Sequence, residues 1–346
     1  MKYNNLGNSG ILVSELSFGS WVTFGNTTDS TLAFDLMKKA YEGGINMFDN
    51  AEGYTAGSSE TVMGDAVQQG IEEGVWERSD LVLTTKIFFG IKAGPNARGC
   101  SRKHIVEGTQ AALKRMKLDY FDLVFCHRPD PRTPIEETVR AMNHIIDKGW
   151  AFYWGTSEWD ATQITKACEV ADRLGLIRPV MDQVQYNMFH RDKVERDYQP
   201  LYNDYGYGLT IWSPLASGIL TGKYSGNNVP EGSRLAQEEY KWLKDSKFVK
   251  QADQITRTDN LKPIAEEIGC SLAQLAIAWC VANPKVSTTI LGATSVKQLD
   301  QNLAALDYVE KLTPDVMTRI EEIIKSKPAV DEIYVQTTGL RSGPNY

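Results

Sequence analysis

An alternation of two patterns limits what this chain can fold into more than any single motif does. Short apolar runs of strand length take turns with longer stretches whose apolar residues recur at helical spacing, and the cycle repeats eight times. Predicted strands cover residues 16–21, 45–49, 81–86, 121–126, 152–156, 181–186, 209–212 and 287–291. Helical pattern occupies 30–42, a stretch opened by Ser59-Glu60, 102–116 behind Ser101 as N-cap, and 134–147 with Pro134 early. It continues over 161–174, 194–205, 248–268, 272–281 and 296–306. Gly43-Gly44 stops the first helix. Residues 213–238 interrupt the rhythm with Gly218, Gly222, Gly226, Pro230 and Gly232, and a loop of that length in a compact domain usually has a function. An extra helix is expected over 314–325 and an extended tail over 330–346.

Eight strand–helix units predict a parallel sheet closed into a (β/α)8 barrel. The rival is an open doubly wound sheet, which usually carries GxGxxG after its first strand; this chain has no such sequence. Residues 2–13, with Asn8-Ser9-Gly10, read as a small hairpin able to plug one end of the barrel. A length of 346 residues would allow two domains, but no shift in composition divides the chain, so residues 1–346 are expected to form one.

Composition narrows the function classes. With 42% hydrophobic and 23% charged residues the chain has the makings of a core and is not dominated by disorder. A net charge of −7 argues against a nucleic-acid partner, which usually meets a basic face. Residues 1–10 are polar and lack a signal-peptide core, and no apolar run approaches the roughly 18 residues of a membrane span. The richest stretch, 272–282, is short and contains Gln274. Five scattered cysteines, never spaced as CxxC, fit a reducing cytoplasmic setting and no zinc site. Asn26-Thr27-Thr28 is a glycosylation sequon that means little without export.

In a barrel the strand C-termini hold the active site. Here successive strands end at Asp49, Lys86 and His127, each after an apolar run. Tyr54 lies five positions beyond Asp49, on a loop long enough to fold back over the strand ends. A phenol titrates near 10, a neighbouring ammonium lowers that value, and a carboxylate beyond keeps the ammonium charged. Asp–Lys–Tyr is therefore a sensible relay for giving a proton to an oxygen and taking it back. The bland alternative is a buried Asp49–Lys86 ion pair with Tyr54 as a packed aromatic. His104, His144 and His190 read as surface residues. Gly218 to Lys223 looks like a phosphate loop, but its spacer is short and Tyr224 stands where Ser or Thr is required.

These residues carry a resemblance. The chain resembles the aldo-keto reductases from Leu6-Gly7-Asn8-Ser9-Gly10 through Asn302, and most of all the branch containing the β subunits of voltage-gated potassium channels. The matching stretches are Trp21-Val22-Thr23-Phe24-Gly25, Thr84-Thr85-Lys86-Ile87-Phe88-Phe89, Arg128-Pro129-Asp130-Pro131, Tyr153-Trp154-Gly155-Thr156-Ser157, Trp212-Ser213-Pro214-Leu215-Ala216 and Leu275-Ala276-Ile277-Ala278-Trp279-Cys280.

The resemblance implies a catalytic tetrad of Asp49, Tyr54, Lys86 and His127, with Tyr54 protonating a carbonyl oxygen as hydride arrives from reduced nicotinamide. His127 would orient that carbonyl; the channel subunits carry Asn there, and the departure favours turnover. It implies NADPH/NADP+ as cofactor. Ser157 and Gln183 would hold the carboxamide with Glu158 alongside, where the channel subunits carry Arg. Trp212 would stack on the nicotinamide, near Ser20, Trp21 and Asp49. Ser213, Pro214, Leu215, Ala216 and Ser217 would run beside the pyrophosphate, with Lys223 and Arg234 as cations. Gly292, Thr294, Gln298, Gln301 and Asn302 would grip the adenosine end. Trp21, Tyr54, Phe89 and Trp212 suggest aromatic walls for an apolar or aromatic carbonyl substrate, an aldehyde. A tetramer and an ion-channel partner, the latter for a weakly catalytic, cofactor-sensing subunit, are implied by the resemblance only.

Overall fold

The computed structural model describes residues 1–21, 23–25, 30–227, 229–230 and 252–329. Two short antiparallel strands come first, β1 (Tyr3–Asn5) and β2 (Leu12–Ser14). Eight strands then close into a barrel: β3 (Leu16–Gly19), β4 (Met47–Asp49), β5 (Val82–Ile87), β6 (Phe121–Cys126), β7 (Ala151–Ser157), β8 (Met181–Gln185), β9 (Gly208–Trp212) and β10 (Thr288–Leu291). Neighbouring strands are parallel throughout, and β10 pairs with both β9 and β3 to complete the ring. Every residue of β5 and β6 is buried, because helices cover the outer face and side chains fill the inner one. The (β/α)8 expectation is met.

The helices follow their apolar stripes. In α1 (Ser30–Glu42) the buried set is Ala33, Phe34, Leu36, Met37 and Ala40. Next come α2 (Ser58–Glu72), α3 (Arg102–Met116), α4 (Ile135–Asp147) and α5 (Ala161–Leu174). Ser101 caps α3 by accepting from the His104 amide, as the sequence suggests.

Two expected helices are broken. Residues 194–205 split into a wide π turn, Lys193–Asp197, and α6 (Gln199–Tyr205). The expected 248–268 helix divides into α7 (Ala252–Asn260) and α8 (Lys262–Ile268); its first residues, 248–251, lie outside the described set. Pro200 and Pro263 sit at the starts of α6 and α8, where a missing N–H costs nothing but continuation from behind is blocked. After α9 (Leu272–Val281), α10 (Val296–Leu303) tightens into 3₁₀ turns over Ala304–Lys311, and α11 (Pro314–Ile324) follows. The 330–346 tail and the sequon at 26–28 lie outside the described residues. Among those described, no single helix is long and apolar enough to cross a membrane.

The hairpin closes the N-terminal mouth. Leu6 and Val13 are buried with Met47, Val82, Leu123, Phe125 and Met181 from the barrel interior. Gly7 makes the close approach: at φ +58 a Cβ would lie 2.2 Å from the Val180 carbonyl oxygen. With that end filled, the strand C-termini form the open mouth.

Candidate active site

Strand alternation sorts the β5 side chains. Thr84 and Lys86 point inward, while Thr85 points out and donates to Glu60 of α2 at 2.6 Å. Inside, Lys86 Nζ donates to Asp49 Oδ2 at 2.6 Å, to the Asn50 carbonyl at 2.8 Å and to Tyr54 OH at 3.0 Å. Asp49 Oδ1 accepts from Thr84 Oγ1 and Gln183 Nε2, both at 2.9 Å. The ammonium thus has three acceptors and the carboxylate three donors, which is what a fully buried ion pair requires. Burial works against the Lys86 charge, yet Asp49 and Tyr54 outweigh it and hold its pKa above the ordinary lysine value.

Tyr54 reaches Lys86 through a tight turn in which Thr55 and Ala56 take left-handed conformations, φ 48 and 51. Backbone strain of this kind clusters at functional sites. Burial raises the Tyr54 pKa, and Lys86 only partly offsets the rise. The phenol is therefore held neutral, against the expectation that the ammonium lowers its pKa overall.

His127 follows β6, its ring edge-on to Tyr54 with centroids 5.7 Å apart and to Phe89 at 4.9 Å. Burial, then Lys86 and Arg128, push its pKa well below the usual histidine value, so the imidazole is neutral. Its Nδ1 is buried without a hydrogen bond among the described residues. A proton on Nε2 instead of Nδ1 avoids burying an unpaired N–H donor.

Asp49, Tyr54, Phe89 and His127 border a cavity of about 640 Å³ at the barrel mouth, with Lys86 buried behind them. Of the residues expected around a cofactor, Trp21, Asp49, Ser157, Gln183, Trp212, Ser213, Pro214, Leu215, Ser217, Lys223, Gly292, Thr294, Gln298 and Asn302 line it. Past β9 the chain turns through left-handed Ser213, Ala216, Ser217 and Gly218. Gly292 faces open space, so that wall is a cradle that a side chain would fill.

Other expected residues lie elsewhere. Ser20 is buried behind the wall, its amide bonded to the Asp49 carbonyl at 3.0 Å. Ala216 is buried beneath its turn, and exposed Gln301 gives its carbonyl to Gln274. Glu158 does not line the cavity: Oε1 accepts from the Gln185 amide at 2.6 Å and Trp212 Nε1 at 3.0 Å, and Oε2 pairs with Lys193 at 2.9 Å. Arg234 lies outside the described residues.

A supporting layer escapes the sequence reading. His104, expected at the surface, is buried, with Nε2 3.0 Å from Glu52 Oε1. The same oxygen accepts from the Phe88 and Gly90 amides at 2.8 and 2.9 Å, which fixes the loop that brings Phe89 to His127. The available signal is an amphipathic one, since His104 shares a helical face with Ile105 and Gly108. Arg128 is a second such residue; it lines the cavity and donates to the His127 carbonyl at 2.5 Å and Ser157 Oγ at 3.1 Å.

Comparison with known proteins adds an independent result. A model described as "Aldo/keto reductase family" matches residues 15–325. The chain is 55% identical over 334 residues to an Arabidopsis thaliana protein named "Probable voltage-gated potassium channel subunit beta", covering 96% of this chain and 100% of that one. A protein of the same name from Oryza sativa subsp. japonica is 54% identical over 334 residues, with the same coverage.

Proposed function

The chain belongs to the aldo/keto reductase family, and from that premise we propose that it is an NADPH-dependent oxidoreductase that reduces aldehyde or ketone carbonyls. The observation that carries this reading is Lys86 Nζ bridging Asp49 and the Tyr54 hydroxyl, two residues that line the cavity beside neutral His127.

The cavity's donors suit a nicotinamide dinucleotide. Trp212 offers a flat apolar face, Ser157 and Gln183 offer amide-binding groups, and Lys223 with the left-handed turn at 216–218 offers charge and backbone amides for phosphates. Gly292, Gln298 and Asn302 leave an open cradle for the far end. The preference for NADP over NAD rests on the resemblance and on Lys223 and Arg234 together. When bound, the reduced cofactor supplies hydride to the carbonyl carbon.

The chain's own groups handle the proton. Tyr54, neutral and hydrogen-bonded to Lys86, gives its proton to the carbonyl oxygen as negative charge develops there. Lys86 then stabilises the phenolate, and Asp49 keeps Lys86 charged and fixed. His127, with its proton on Nε2, donates a hydrogen bond that orients the carbonyl. Trp21, Phe89 and Trp212 give the reacting end apolar walls.

The test is steady-state NADPH oxidation across a panel of aldehydes. Turnover of about 1 s⁻¹ or more on any of them supports the reading, and none across the panel contradicts it. A second reading, a subunit that binds and regulates a potassium channel, is supported by the names of the two plant relatives. Co-purification with a channel together with no aldehyde turnover would favour it.

A further inference from the structure

The cavity carries a cation with no carboxylate in ion-pair contact among the described residues, although Glu158 feels its charge. Arg128 lies on the wall between His127 and Ser157, its guanidinium carbon 5.8 Å from the centre of the Phe89 ring. Only Nη1 is engaged, with the His127 carbonyl and Ser157 Oγ; Nε and Nη2 make no hydrogen bond among the described residues. No described carboxylate forms an ion pair with it. Asp49, the carboxylate that lines the cavity, is taken by Lys86, and nearby Glu158 is taken by Lys193. Elsewhere the chain satisfies its half-buried arginines: Arg78 pairs with Asp122, Arg115 with Glu60 and Arg191 with Glu195 and Glu321. In a protein of net charge −7, a half-buried guanidinium without an ion-pair partner among the described residues, beside the reacting groups, is a binding feature.

We propose that Arg128 is an anion-recognition residue and that the carbonyl substrate carries a carboxylate or phosphate near its reacting carbon. This rests on the reductase reading and sharpens its substrate class. The planar fork suits both anions, because Nε and Nη2 lie side by side on one edge and can meet two oxygens at once. Arg128 stands against His127 and Phe89, the wall that orients the carbonyl, whereas the lysine and left-handed turn assigned to cofactor phosphates belong to the segment after β9. An anion held there would place the carbonyl between Tyr54 and His127. The aromatic rings Phe89 and Trp21 then form an apolar rim around a charged anchor, so the expected apolar aldehyde becomes an apolar or short aldehyde with one anionic end.

The experiment compares kcat/KM within matched pairs: 4-carboxybenzaldehyde against benzaldehyde, and glyceraldehyde 3-phosphate against glyceraldehyde. The expected result is preference for the charged member of at least one pair by roughly tenfold to a hundredfold, the range of a charge-assisted hydrogen bond. Whichever pair shows it identifies carboxylate or phosphate. In Arg128→Gln, which keeps a donor for the His127 carbonyl, that ratio should fall towards one, and Arg128→Lys should restore part of it. A ratio at or below one in both pairs, or a ratio that Arg128→Gln leaves unmoved, overturns the proposal. Benzoate titrated against intrinsic tryptophan fluorescence, with benzamide as the neutral control, reads the same site without turnover. If benzoate binds through Arg128 while no aldehyde is reduced, the anion site stands and the reductase reading fails. If benzaldehyde is reduced with a flat charge ratio, only the anion site fails.

Discussion

Trp212 Nε1 donates to Glu158 Oε1 at 3.0 Å, and Lys193 holds the other oxygen of that carboxylate at 2.9 Å. Glu158 is therefore a clamp on the indole from behind. Burial opposes its charge most strongly, but the Lys193 hydrogen bond and charge, the Gln185 amide and the Arg128 charge together outweigh burial and keep its pKa below the usual value. Removing the clamp in Glu158→Ala should free the ring that faces the cavity and weaken NADPH binding by roughly tenfold, the scale of one hydrogen bond to a charged group. Fluorescence titration measures this, and affinity equal to wild type would show that the indole is held by packing alone.

Lys86 is fully buried, and its partner Asp49 nearly so. Lys86→Met should cost about 3–5 kcal/mol in urea unfolding, because it strands a buried carboxylate. Adding Asp49→Asn should recover part of that loss while aldehyde reduction stays absent. A double variant no more stable than the single one would mean the pair is not the source of the cost.

Asp182, on β8 beside Thr156 of β7, lies outside the cavity, and burial pushes its pKa up to about 6 despite a 2.6 Å hydrogen bond from Thr156 Oγ1. The folded state thus binds a proton that the unfolded chain has released, so this residue's contribution is larger at low pH. It is lost as pH rises through about 6. Relative to Asp182→Asn, wild-type stability should fall by roughly 3 kcal/mol between pH 4 and 8, at about 1.4 kcal/mol for each pH unit separating the folded and unfolded pKa values. A pH-independent difference between the two would remove Asp182 as the cause.

His127 is depressed by burial first and by the cations Lys86 and Arg128 next. Its imidazole signals in NMR should show no titration near 6.5. The unfolded chain takes up a proton there and the folded one does not, so this group lowers stability as pH falls below about 6.5. A titration at the ordinary value would show the ring open to solvent.

Much of this is legible in the sequence, for physical reasons. The run of β-formers from Leu81 to Lys86, set between helical stretches, points to the strand, and the eightfold repeat of such units points to a parallel barrel. Asp49, Lys86 and His127 are visible because polar residues ending apolar runs stand out. Glu52, His104, Glu60 and Arg115 are hidden, since their pairings span 52 and 55 positions and nothing local announces them. Glu158 lies away from its expected place because position along the chain does not reveal that its side chain turns towards Lys193. The breaks at Pro200 and Pro263 are in plain sight, but helical periodicity runs across both and masks the proline rule. The net direction of the Tyr54 pKa change depends on a depth of burial that no sequence states.

The most direct test of the mechanism is Tyr54→Phe, assayed for aldehyde reduction and for NADPH binding in parallel. Loss of the proton donor should lower kcat by about 10²–10⁴-fold and leave NADPH affinity within a few-fold of wild type. Wild-type reduction of a good aldehyde by Tyr54→Phe would contradict the assignment of the proton to Tyr54.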